Sequence, residues 1–209
     1  MTITNGYATL AEFKTWLAVR GLAGSVGTDA SDDTVIEILI EAASRYIDRE
    51  TGRYFFKDAE AVTRYFTPKQ SYSVYVGDLV SVTTLAADDG MRTWSNTFLS
   101  TEFELWPYNA AQSQPEAEPY QRIDIIPTLS TLSFYRVPKG VKVTGVFGWP
   151  SVPKAIQEAT LSIVQSVNDA RSGQASSGKV TVTAAGVVIR PEEIPPFAQS
   201  IIEAYKRRV

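Results

Sequence analysis

The chain reads as an α+β protein: a helical bundle built from its two ends, with a mainly antiparallel β insertion, a small sheet or barrel, between them. Three observations carry that reading. Apolar residues recur at three-to-four spacing over residues 7–56 and again after residue 152. Between them, six β-rich runs alternate with turn residues. The segment GVFGWPSVP (145–153) marks the switch from strand to helix. The expected organisation is one domain over residues 1–209, helical over 1–60, β over 61–149 and helical again over 150–209, its C-terminal helix being a docking element.

The first helix opens on a capping box. The Thr9 hydroxyl is spaced to accept from the N–H of Glu12, and the Glu12 carboxylate to return to the Thr9 N–H, ahead of Leu10, Phe13, Trp16 and Leu17. Gly21 closes it, and Gly24, Gly27 and Ala30 lie in a short link. A longer helix begins near residues 31–33, where Asp32 and Asp33 favour the positive end of the helix dipole. Its core stripe is Val35, Ile36, Leu39, Ile40, Ala43, Tyr46 and Ile47, and Gly52 is its natural C-terminal cap.

The β runs are VTRYF, YSVYV, LVSVTTL, TEFELW, RIDII and VKVTGVFGW, predicting five to seven strands. Turns are expected at Pro68, at Gly77 with Asp78, at Asp88, Asp89 and Gly90, and at Pro138, Lys139 and Gly140. The polar stretch 109–119 can bury little and is expected to be an exposed loop. In the last run, Val141, Val143, Gly145, Phe147 and Trp149 share one face. Pro150 and Pro153 stop the sheet, because neither offers an N–H to a ladder, and Pro153 suits the first turn of a helix. The third helix carries Ile156, Ala159, Ile163, Val164 and Val167 and should end at Gly173. A Gly/Ser link, a β-like piece (179–189) and Pro191, Pro195 and Pro196 precede a last helix with Phe197, Ile201, Ile202 and Tyr205, ending on Lys206, Arg207 and Arg208.

Composition removes whole classes of chemistry. The 209 residues include no histidine and no cysteine. Ser–His–Asp triads, imidazole acid–base catalysis, thiolate metal sites and disulfides are therefore impossible. The net charge of −3 lacks the basic footprint of a nucleic-acid binder. No apolar run approaches the ~18 residues of a membrane span, and no secretory leader pattern opens the sequence.

Few motifs offer chemistry. GQASSGK (173–179) has phosphate-loop spacing, but a helix precedes it, Val180 follows the lysine and a strand pattern comes after, so it reads as a link. The acid pairs Asp32–Asp33, Asp88–Asp89 and Glu192–Glu193 sit at element boundaries, where carboxylates cap helices or make turns. Tyr65, Tyr72, Tyr75, Trp94, Trp106 and Tyr108 could line a ligand surface, yet at alternating strand positions they read better as core or cross-strand pairs. Phe197, Ile201 and Tyr205 lie at i, i+4 and i+8 beside Lys206, Arg207 and Arg208 and form a candidate anchor for a partner. No catalytic, metal or cofactor residues are expected.

Four pieces together resemble the head–tail connector (adaptor) proteins of long-tailed double-stranded DNA bacteriophages and related gene-transfer particles. They are TLAEFKTWL (9–17), IEILIEAASRYIDRETGRYF (36–55) with its Thr51, Gly52, Arg53 ending, GVFGWPSVP, and KAIQEATLSIV (154–164). The β middle carries no such match. The resemblance implies a structural, non-enzymatic virion protein that forms a dodecameric ring below the portal. Such a ring binds portal subunits, receives a neck or stopper protein, and lets DNA pass without sequence-specific binding. It implies a location in the virion neck, assembly in host cytoplasm, no membrane, and portal contact through residues 197–209, hence Phe197, Ile201, Tyr205, Lys206, Arg207 and Arg208. The alternatives are another neck or tail-completion protein, a carbohydrate- or ligand-binding β module resting on the aromatics, and a carboxylate-dependent hydrolase resting on the acid pairs.

Overall fold

The computed structural model describes residues 3–21, 30–112, 116–171, 181–183, 186–188 and 194–207. In chain order its elements begin with α1 (Leu10–Val19), α2 (Ala30–Thr51), β1 (Val62–Phe66), β2 (Ser73–Ala87), β3 (Asn96–Phe98) and β4 (Phe103–Trp106). After a short 3-10 turn (Ala110–Gln112) come β5 (Tyr120–Ile125), β6 (Val141–Phe147) and α3 (Lys154–Arg171). β7 (Thr181–Thr183), β8 (Gly186–Val188) and α4 (Pro196–Tyr205) complete the chain. The fold is α+β. The chain divides into two compact units: Met1–Arg53 with Val152–Val209, and Tyr54–Ser151.

The helical unit begins with the expected capping box. Glu12 N–H donates to Thr9 Oγ1 at 3.2 Å, and Thr9 N–H donates to the Glu12 carboxylate at 2.7 Å. α1 buries Phe13 and Leu17; α2 buries Ile36, Leu39, Ile40, Ala43 and Ile47; α3 buries Ile156, Ala159, Ile163, Val164 and Val167. These positions follow the helical period, so hydrophobic burial alone accounts for them. Val35 and Tyr46 are only half-buried, and the periodic stripe misses three buried polar groups on α2, Ser44, Asp48 and Thr51. Ser44 Oγ donates to the Ile40 carbonyl at 2.8 Å and accepts the Tyr7 N–H at 3.0 Å. The β-like piece is the antiparallel hairpin β7–β8.

The β unit is one open sheet in the order β1-β6-β2-β5-β4, with β3 pairing the far end of β2 and every pairing antiparallel. It does not close, so the barrel alternative is excluded. Its core is one cluster that includes Val74, Leu79, Leu85, Ile123, Val143 and Phe147. The turn expected at Gly77 and Asp78 is absent. β2 runs straight through, absorbing the irregularity as a register shift between Tyr75 and Leu79, with Gly77 at φ +76°. A positive-φ glycine can thus serve a bulge as well as a hairpin, and local sequence does not separate the two. β3, only three residues long, was too short to register as a strand run.

The strand-to-helix corner is built as the period predicts: Val141, Val143, Gly145, Phe147 and Trp149 are all buried. Gly148 sits at φ +106°, its N–H donates to the Asp78 carbonyl at 3.0 Å, and an added Cβ would fall 1.9 Å from the Phe56 oxygen. Trp149 then packs against Phe55, ring centroids 5.2 Å apart. The loop at 109–119 is less exposed than its composition suggests, since Ala110 and Pro119 are buried.

Candidate partner-docking surface

α4 starts on Pro195 and Pro196, with no side-chain cap, and Gln199 N–H donates to the Pro195 carbonyl at 3.0 Å. Its buried residues are Ala198 and Ile202, with Ile194 buried just ahead of the helix. α4 packs on α3 and α2, so the helix is part of its own unit's core. Phe197, Ile201 and Tyr205, the residues expected to anchor a partner, are not the buried residues of this packing. At 3.6 residues per turn, each i+4 step rotates the position by about 40°. The stripe therefore drifts: Phe197 is 56% exposed, while Ile201 and Tyr205 are half-buried.

The basic end is also engaged within the chain. Lys206 Nζ donates to Glu203 at 2.9 Å, which holds the ammonium pKa above its usual value. Lys206 has left the helical backbone, and the Arg207 N–H donates to the Thr51 carbonyl at 2.9 Å, tying the end of α4 to the end of α2. Thr51 is itself buried, its hydroxyl donating to the Ile47 carbonyl at 2.8 Å. Arg208 lies outside the described residues, as do GQASSGK and Glu192–Glu193. An open groove of about 480 Å³ separates α2 from α4, lined by Tyr46, Glu50, Pro196, Gln199, Glu203 and Lys206. Burial pushes the Tyr46 phenol pKa up, and the Glu50 charge adds to it.

The two acid pairs among the described residues are held in structural contacts. Asp33 pairs with Lys14 at 2.6 Å. Asp88 accepts the N–H groups of Gly90 and Arg92, both at 3.0 Å. Asp89 accepts from Thr93 Oγ1 and, at 2.9 Å, from the Met91 N–H, which together hold its carboxyl well below the usual range. Another titratable cluster is one that sequence reasoning missed. Asp48 accepts from the Tyr7 hydroxyl and pairs with Arg45 Nε at 2.8 Å, and burial nevertheless pushes its carboxyl up. These groups fasten the N-terminal segment to α2. Among the described residues no cluster of acidic side chains is arranged to hold a metal, and no helix is long and apolar enough to cross a membrane.

Of the two roles expected for the strand aromatics, core or cross-strand pairing, the core role fails and cross-strand neighbours are present. Tyr65, Tyr72, Tyr75, Trp106 and Tyr108 are exposed, and Trp94 packs against Tyr65 with ring centroids 5.0 Å apart and planes tilted by 54°. Tyr75, Arg122 and Trp106 form one cross-strand row on the sheet's outer face, the Arg122 guanidinium 4.6 Å from the Trp106 ring. Alternation placed these side chains on one face but could not say which face the core would cover.

No protein-family model matches the chain, and no curated protein matches it in sequence. Among solved structures the chain is similar to a chain described as "Neck of empty GTA particle computed with C6 symmetry". The TM-score is 0.52 at 15% identity, covering 100% of this chain and 94% of that one. The likeness is one of fold.

Proposed function

We propose that this chain is a structural neck protein of a phage-like or gene-transfer particle, acting as a ring-forming adaptor between portal and tail. The observation that carries the proposal is the fold correspondence with the neck chain, which runs through both helical ends and the β middle alike. A dodecameric ring, binding of the portal, receipt of a neck or stopper protein and passage of DNA through the lumen belong to this proposal. So do a non-enzymatic role and a place in the virion neck. Within it, the portal-facing surface is the exposed side of α4, with Phe197 as the apolar anchor and Ile201, Tyr205, Lys206 and Arg207 as further contacts, Arg208 following them in sequence.

Removing the gene from a particle-producing strain tests the role. Heads without attached tails are expected by electron microscopy; normally tailed particles lacking this chain would refute it. Phe197→Asp tests the surface. At an exposed position it should keep the fold intact and abolish co-purification with portal. Unchanged portal binding would move the anchor elsewhere.

A further inference from the structure

Among the described residues, the two ends of the strand order β1-β6-β2-β5-β4 are edges that match each other, while the three-residue β3 pairs only with the far end of β2. β1 and β4 each pair with one strand only, β6 and β5 respectively. Four antiparallel junctions separate them (β1–β6, β6–β2, β2–β5, β5–β4), so the two edge strands run in the same direction. On the core face, both edges carry apolar side chains that the unit covers only in part: Phe66 at one, Phe103 and Leu105 at the other. Val62, at the other end of β1 on the same face, remains 38% exposed, with Arg64 between them.

Charge on the outer face separates the edges. Glu104 on β4 is exposed and stands directly opposite Asp124, a like-charge pair that destabilises a sheet. Arg122 is committed to Asp124 at 2.8 Å, and no cation reaches Glu104 among the described residues. At the other edge, Lys142 on β6 stands opposite Tyr65 and has no acidic partner among the described residues. Natural sheets blunt exposed edges or pair them.

We propose that β1 of one copy adds in parallel to the free edge of β4 of the next, continuing the sheet from copy to copy. This deepens the ring-forming reading above and rests on it. Parallel addition follows from the shared strand direction, since a copy in the same orientation presents β1 running the same way as β4. In one register the join sets Phe103 against Val62 and Leu105 against Arg64, and in the other Leu105 against Phe66 and Phe103 against Arg64, whose aliphatic stem shares the core face of β1. It also brings Lys142 within about 10 Å, two strand spacings, of the Glu104 backbone, a gap the two side chains bridge. A contact between two different edges is heterologous and propagates around a ring. Pairing of β4 with β4 would instead oppose Glu104 to itself.

The absence of cysteine makes cross-linking clean. Thr63→Cys or Tyr65→Cys, both at exposed positions, is mixed with Glu104→Cys under mild oxidation. The two β1 positions cover the two registers that put β1 and β4 side chains on the same face. Disulfide-linked heterodimers are expected from one of these mixtures, and a ladder of oligomers from the matching double variant. By sedimentation, Glu104→Lys should weaken self-association of the native chain about tenfold, and adding Lys142→Glu should restore it. Homodimers from either single variant, oligomers that no pair traps, or a monomer without cross-links at the highest attainable concentration would each overturn edge pairing. Oligomers trapped by no pair would leave the neck reading standing. Edge-trapped oligomers of a chain absent from particles would refute the neck reading alone.

Discussion

Replacing Ile202 by alanine should destabilise the helical unit by about 3 kcal/mol. Ile202 is 5% exposed on α4, so nearly all of its side chain is out of water. Ile→Ala removes three carbons' worth of burial, about 2.4 kcal/mol at 0.8 kcal/mol per methylene. The space left between α4 and its neighbours adds a cavity cost, placing the sum inside the 2–5 kcal/mol seen for such changes. Phe197→Ala on the same helix should cost no more than about 0.5 kcal/mol, because that ring is 56% exposed. Urea titration followed by circular dichroism at the helical minimum compares the two directly. The two units need not unfold together, so the helical signal is the appropriate one. Equal midpoints for Ile202→Ala and Phe197→Ala would refute the docking of α4 through Ala198 and Ile202. The same reasoning predicts that deleting residues 197–209 destabilises the fold as well as removing any partner surface. Point changes at Phe197 are therefore the sharper probe of function.

Thr9→Ala should cost about 1 kcal/mol of helical-unit stability, since Thr9 Oγ1 accepts the Glu12 N–H at the start of α1; an unchanged urea midpoint would count against the cap. Gly148→Ala should cost the β unit about 3 kcal/mol or more, because positive φ and a 1.9 Å approach to the Phe56 oxygen act together. Tryptophan fluorescence would report it through Trp149, and a native-like melt would refute it. The Asp48 carboxyl is raised by burial, so its protonated form is the one the fold favours. Its contribution is full below the ordinary value of 3.8 and is lost as pH rises through the folded value. Relative to Asp48→Asn, the native chain should therefore lose stability as pH climbs from about 3.8; a difference moving the other way would mean that the Arg45 pair outweighs burial.

Much of this architecture was legible in the amino-acid order because it depends on near neighbours. The Thr9–Glu12 box is settled within four residues, and the stripes on α2 and α3 follow from a period of 3.6. The alternation from Val141 to Trp149 identifies a strand buried on one face. Gly52 marks the place where the end of α2 must adopt a left-handed backbone. Composition alone removed histidine and thiolate chemistry, and with it most routes to catalysis.

Other features depended on residues far apart in sequence. Gly77 looks locally like a turn. Only pairing with β5 and β6 on either side keeps β2 running through it. Tyr75 and Trp106 alternate as core residues would, yet the opposite face of the sheet received the core, because Val74, Ile123 and Leu105 bury together there. Phe197, Ile201 and Tyr205 make an apolar stripe on paper. The surface that α2 and α3 present selected Ala198 and Ile202 instead and left Phe197 outside. Which strands become edges is likewise invisible in VTRYF or FELW, since an edge is defined by the neighbour a strand lacks. Periodicity determines that a face is apolar; the packing of distant elements decides what covers it, because burial is a property of the assembled chain.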